Sequence, residues 1–176
     1  MGYLRGNMSF LFLALMWITF ALQFALLPLL GFGPRSAVWQ GLFVLDPGRL
    51  GYVWTWVTSI FAHGSFSHIA VNSIVLYFFG QVVERRLGSS RFAALFLIAG
   101  VIAGLAQVSS TLLTMGSVGP GVVGASGAIM GIMGVLTMLN PHLRVYLYFV
   151  VPVPLWLLTF GFAAFSIVAG FGTAGG

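Results

Sequence analysis

Long apolar runs separated by short polar breaks dominate this chain, and the runs have the length that crosses a bilayer. A hydrocarbon core takes about 17–25 apolar helical residues. Five runs reach that length: Met8–Leu30, Phe66–Val83, Phe92–Met115, Val122–Leu139 and Pro152–Phe171. Each predicts a transmembrane helix. The first is too long for a signal-peptide core and leads into Gly31-Phe32-Gly33-Pro34-Arg35 without a small-residue cleavage site, so it reads as a retained anchor. Ahead of it, Met1-Gly2-Tyr3-Leu4-Arg5-Gly6 carries Gly6 where a myristoylation signal takes Ser or Thr.

Two segments break the pattern. Between Gly31 and Ser65, Trp39, Phe43, Tyr52, Trp54 and Trp56 surround Asp46-Pro47-Gly48-Arg49, a stretch too interrupted to span and too aromatic for a free linker. Such side chains settle at the lipid–water boundary, which predicts a partly inserted outer loop; a plain aromatic belt is the alternative. From Arg144 to Pro152 aromatic and aliphatic residues alternate, and Pro152 and Pro154 break the run before the last span. That predicts an extended stretch at the inner membrane surface. With no internal repeat, low-complexity tract or second domain, residues 1–176 read as one all-α polytopic bundle.

Composition agrees: 60% of residues are hydrophobic and 5% charged, with mean hydropathy +1.08, more apolar surface than a soluble domain of this length hides. The net charge of +5 rests on seven arginines against two acidic residues, without the basic and aromatic clusters of a nucleic-acid surface. The expected partner is the lipid bilayer, not nucleic acid. The absence of cysteine removes disulfides, thiolate zinc sites and cysteine nucleophiles. Arg5, Arg85, Arg86, Arg91 and Arg144 fall on one side of the five spans, and only Arg35 and Arg49 on the other. Basic loops stay inside, so the N-terminus is expected in the cytoplasm, in the cell membrane, with the opposite face toward the exterior.

Three polar groups then sit where lipid or protein should surround them: Ser126 within Gly124-Ala125-Ser126-Gly127-Ala128, and His68 one turn before Asn72. In hydrocarbon such groups face a protein interior or a wet cavity. Both spans start from the outer face, so Ser126 and His68 are expected about one turn inside, near helix N-termini that favour developing negative charge. A serine, oxyanion donors and a depth reached by water are parts of an acyl-transfer site. The plainer readings are a packing role for Ser126 beside a stripe of Gly127, Gly131 and Gly134, and interhelical hydrogen bonding for His68 and Asn72. The serine motif also lacks the second glycine of the soluble hydrolase elbow.

From about Trp54 onward these residues resemble the rhomboid intramembrane serine proteases. His63, His68 and Asn72 are similar to the family's H-x4-H-x3-N helix, Glu84-Arg85-Arg86-Leu87-Gly88 to its E-x-R-x-G turn, and Gly124-Ala125-Ser126-Gly127 to its G-x-S-G nucleophile motif. The resemblance implies a rhomboid-like bundle and an endopeptidase that cuts transmembrane segments of other membrane proteins. Ser126 is implied as nucleophile, with His68, Asn72 and the Ser126 N–H as oxyanion donors, and no metal or organic cofactor. A helix shields its peptide bonds, so substrates are expected to carry helix-weakening residues.

Three departures from the family follow. The family's base is a histidine in a sixth helix, in an A-H-x-x-G pattern, and the sequence stops at Phe171-Gly172-Thr173-Ala174-Gly175-Gly176, where that helix is expected to begin. His142 follows Asn140-Pro141 in an expected cytoplasmic loop, and His63 lies in a polar approach where a structural hydrogen bond is expected. A His68–Ser126 dyad runs against the family role. Without a base a serine is a poor nucleophile, so the chain as it stands is expected to be inactive or nearly so. Met130 stands where relatives often have an aromatic residue, and Trp54-Thr55 where many have Trp-Arg. Beside the protease, two other classes stand: a non-catalytic rhomboid-like binder of transmembrane segments, and a small transporter component, the latter weakened because Asp46 and Glu84 are both expected in loops.

Overall fold

This computed structural model describes residues 7–33, 35–147 and 151–172, with side chains to Val145 and from Val151 to Ala164. Met1–Gly6, the middle of the extended 144–152 stretch and the last four residues lie outside it, as do the acylation reading and Arg5. Helix α1 (Met8–Leu29) is followed by two short helices, α2 (Ala37–Phe43) and α3 (Thr55–Phe61), in the aromatic segment. Helix α4 (Phe66–Leu87), α5 (Ser89–Met115) and α6 (Ser126–Leu139) come next, then strands β1 (Arg144–Leu147) and β2 (Val151–Pro154) and helix α7 (Leu155–Gly172). The all-α membrane bundle is therefore present, with β1 and β2 paired antiparallel where the proline-broken stretch was expected to be extended.

Helix boundaries move where polar chemistry intervenes. The helix expected from Val122 begins only at Ser126, because Val122 pairs with Leu45 of the aromatic segment and Gly124 takes φ +121°. At 14 residues α6 is about 21 Å long, short of the roughly 30 Å core. Irregular backbone at membrane depth is tolerated where protein buries it or water reaches it. The run expected from Pro152 starts as a helix only at Leu155, since both prolines go into β2. In the other direction α4 continues to Leu87, which puts Glu84 in a helix and buries it. The loop placement expected for Glu84 is thus corrected.

Glu84 joins three elements at that end. Its carboxylate accepts the backbone N–H groups of Met8 and Ser9 at 2.8 and 2.9 Å, the Ser9 hydroxyl at 2.5 Å and the Ser89 hydroxyl at 2.7 Å. Two of those donors belong to the first turn of α1, whose N–H groups have no partner within the helix. Nearby, Arg86 donates to the Asn140 side chain at 2.8 Å, tying the last turn of α4 to the end of α6.

Phe12 of α1 stacks on Phe96 of α5 with centroids 4.5 Å apart and leans on Phe61 of α3 at 5.6 Å. Against this cluster α6 buries Ile129, Ile132, Met133 and Leu136, and Met130 packs at its edge. Helices α5 and α6 approach closely because small residues face each other: a methyl on Gly127 would come within 2.2 Å of Ala103 Cβ, and one on Gly131 within 2.4 Å of Ala99 Cβ. Gly134, expected in the same stripe, has no atom of the described residues within 4 Å of such a methyl and is not part of the contact with α5. The outward faces carry Ile74, Phe78, Ile98 and Ile102, each more than half exposed, the side chains a bilayer would cover.

Candidate active site

Short helix α3 organises the site through the carbonyls at its C-terminal end. Ser59 O accepts the Gly124 N–H at 2.9 Å, which fixes the chain two residues before Ser126. Leu45 and Val122 exchange both backbone bonds, at 3.1 and 2.8 Å, so the aromatic segment is fastened to that same stretch. This segment is a built part of the protein: Trp39 is buried, Trp54 Nε1 donates to Gly41 O at 2.8 Å, and Thr55 is fully buried with its hydroxyl on Tyr52 O at 2.6 Å. Thr55 faces inward, away from any role as a membrane-surface anchor.

Serine 65 starts α4 by accepting the His68 N–H at 3.3 Å, the usual N-cap arrangement. His68 is therefore in the first turn of its helix, and Ser126 is the first residue of its own. His68 lies where the run starting at Phe66 put it, whereas Ser126 was expected about a turn inside a helix beginning at Val122. The two helix starts meet through Gly124, where a methyl would lie 2.5 Å from His68 Cε1 and 2.8 Å from Nε2. Only a residue without a side chain lets the imidazole rest on that backbone, and φ +121° also favours glycine.

His63 is the buried hub. Its Nε2 lies 3.0 Å from Asn72 Nδ2 and 3.5 Å from the Ala125 N, its Nδ1 3.2 Å from Phe61 O, and its ring 4.9 Å from that of His68. Burial, followed by the neighbouring His68, lowers its pKa to about 3, so it is neutral. The structural hydrogen bond expected for His63 is present, with more partners than a lone polar approach suggested. Asn72 is 1% exposed, while His68 and Ser126 are half-buried. His142 is exposed in the turn after α6, a helix length away from Ser126.

Helices, loop and polar cluster together define a polytopic membrane protein with a serine at a helix start, beside imidazole and amide groups within the bundle. The Rhomboid domain family model matches residues 50–175, and the chain belongs to that family. It is 36% identical over 128 residues to "RHOMBOID-like protein 12, mitochondrial" of Arabidopsis thaliana, covering 65% of this chain and 38% of that protein. Over 99 residues it is 35% identical to "Rhomboid protein 1, mitochondrial" of Saccharomyces cerevisiae, covering 56% and 28%. Over 62 residues it is 36% identical to "Rhomboid protease GlpG" of Salmonella newport, covering 35% and 22%. The chain thus spans less than half the length of each of these relatives.

Proposed function

We propose that this chain carries the nucleophile and oxyanion half of an intramembrane serine endopeptidase acting on transmembrane segments. The observation that carries the reading is the seating of His68 on Gly124, two residues before Ser126, with Asn72 and the Ala125 N–H meeting at His63 Nε2. Ser126 acts as nucleophile on a peptide carbonyl. His68, one hydrogen of the Asn72 amide and the Ser126 N–H then stabilise the oxyanion, as in sites where donors await developing charge. Asn72 has two amide hydrogens and spends one on His63, which leaves the other for this role. Substrates are segments whose helix opens locally. The arginines at the Glu84 end support an orientation with that end inside and the serine outside, without naming the membrane; two of the relatives are named mitochondrial.

A second reading has its own support. None of the three histidines in the sequence is placed as a base: Nε2 of His63 is occupied by Asn72, His142 lies at the far end of α6, and His68 is assigned to the oxyanion. By itself the chain then binds transmembrane segments without cutting them. The test uses liposomes holding a transmembrane reporter with a helix-weakened segment, the chain as it is, and a form continued by a span containing Ala-His-x-x-Gly. Cleavage by the continued form that Ser126→Ala abolishes and Asn72→Ala lowers by about 10²–10³ supports the protease. Equal reporter processing with and without Ser126 refutes it.

A further inference from the structure

A chain of polar contacts reaches the site from α1, which lies outside the residues that the family model matches. Thr19 is buried, and its hydroxyl is 2.5 Å from Phe61 O, closer than to the Met16 and Leu15 carbonyls of its own helix at 2.9 and 3.0 Å. A hydroxyl has one hydrogen, and the shortest contact takes it. Phe61 O, at the end of α3, also meets His63 Nδ1. A carbonyl oxygen only accepts, so Nδ1 must carry the ring hydrogen. In a neutral imidazole that leaves Nε2 as acceptor. Both groups that face Nε2, the Asn72 amide and the Ala125 N–H, are donors. Every hydrogen in the chain from Thr19 to Asn72 is thereby assigned, and no alternative tautomer satisfies both sides of His63.

We propose that Thr19 is a positioning residue: by donating to Phe61 O it steadies the carbonyl that holds His63 as the Nδ1–H tautomer, and His63 in turn orients the Asn72 carboxamide beside the start of α6. The catalytic consequence rests on the serine reading above; the tautomer does not. Packing alone does not require a hydroxyl here, since valine has nearly the shape of threonine. The pair formed by His63, just before α4, and Asn72 within it is thus set from α1, through one backbone oxygen.

The test is nitrogen-15 NMR of the whole chain in detergent micelles or nanodiscs with labelled histidine and asparagine side chains. Only three imidazoles contribute, and His68→Ala and His142→Ala assign them. In the unsubstituted chain His63 is expected as a single Nδ1–H tautomer, and a predominant Nε2–H form overturns the proposal without any variant at Thr19. Thr19→Val is expected to mix the tautomers and shift the Asn72 amide signals, while Thr19→Ser restores both. A Thr19→Val spectrum that superimposes on the unsubstituted one also overturns it. In the continued form, Thr19→Val is expected to slow reporter cleavage roughly tenfold, as small misplacements of catalytic groups do; an unchanged rate contradicts the positioning role. If the unsubstituted continued form never cleaves, the serine reading fails and the His63 spectrum still decides the tautomer claim.

Discussion

The imidazole of His68 lies against the backbone of Gly124, so closely that a methyl group on the glycine would approach Cε1 to 2.5 Å. This contact, made between the first turn of one helix and the residues just before another, is what brings His68 to the Ser126 segment. Gly124→Ala therefore meets both a clash and a backbone angle that alanine avoids. The expected result is a loss of about 1–3 kcal/mol in stability together with at least a tenfold drop in Ser126 reactivity, because relief requires moving His68. Thermal unfolding in detergent and reporter cleavage measure the two effects separately.

At the opposite end, Glu84→Ala removes the acceptor for two N–H groups at the start of α1 and for the hydroxyls of Ser9 and Ser89. Charged hydrogen bonds are worth about 1.5–3 kcal/mol each, and the orphaned donors add a desolvation cost. The expected loss is roughly 3–5 kcal/mol, with Ser9→Ala losing about 1. Midpoints of unfolding by steric trapping or denaturant compare the variants.

The small-residue contact between α5 and α6 is predicted to be position-specific. Gly131→Val forces Ala99 away and is expected to cost about 2–4 kcal/mol. Gly134→Ala meets nothing among the described residues and is expected to be neutral or to stabilise by up to about 1 kcal/mol, since alanine is the better helix former. Equal destabilisation by the two would show that the packing stripe is drawn wrongly. The same unfolding measurement decides it.

His63 sets a pH dependence whose sign follows from its environment. Burial and then His68 hold its folded pKa at about 3, below the ordinary 6.5. Between those values the unfolded chain binds a proton that the folded chain does not. Stability from this group is thus complete above about pH 6.5 and falls as pH drops toward 3. His63→Gln is expected to flatten that part of the stability–pH curve, read from unfolding midpoints across the range.

Much of this was legible in the residues themselves. Run length located the helices of the five long apolar runs, because hydrophobic matching to a bilayer is a strong constraint, but not the short helices α2 and α3 of the aromatic segment. Spacing alone put His68 and Asn72 on one face, and run length put Ser126 about one turn inside its helix, near the N-terminal end. What run length could not reveal is where an apolar stretch stops being helical: Val122 is as hydrophobic as its neighbours, yet it pairs with Leu45, some seventy-seven positions earlier, and the helix waits for Ser126. Nor does an apolar count identify partners. Glu84 looked like a loop charge and is a buried acceptor, and Thr19, which drew no notice within its apolar run, is the donor that reaches Phe61. The signal for Thr19 was the same one that singled out Asn72, a hydrogen-bonding group in an apolar helix.

The most direct measurement is site-mapped covalent labelling with a fluorophosphonate, followed by mass spectrometry of the modified peptide, on the form continued with an Ala-His-x-x-Gly span. The prediction is one adduct per chain, located on Ser126, absent from Ser126→Ala and slowed in Asn72→Ala. Labelling spread over other serines, or equal in the Ser126→Ala control, would contradict a nucleophile at the start of α6.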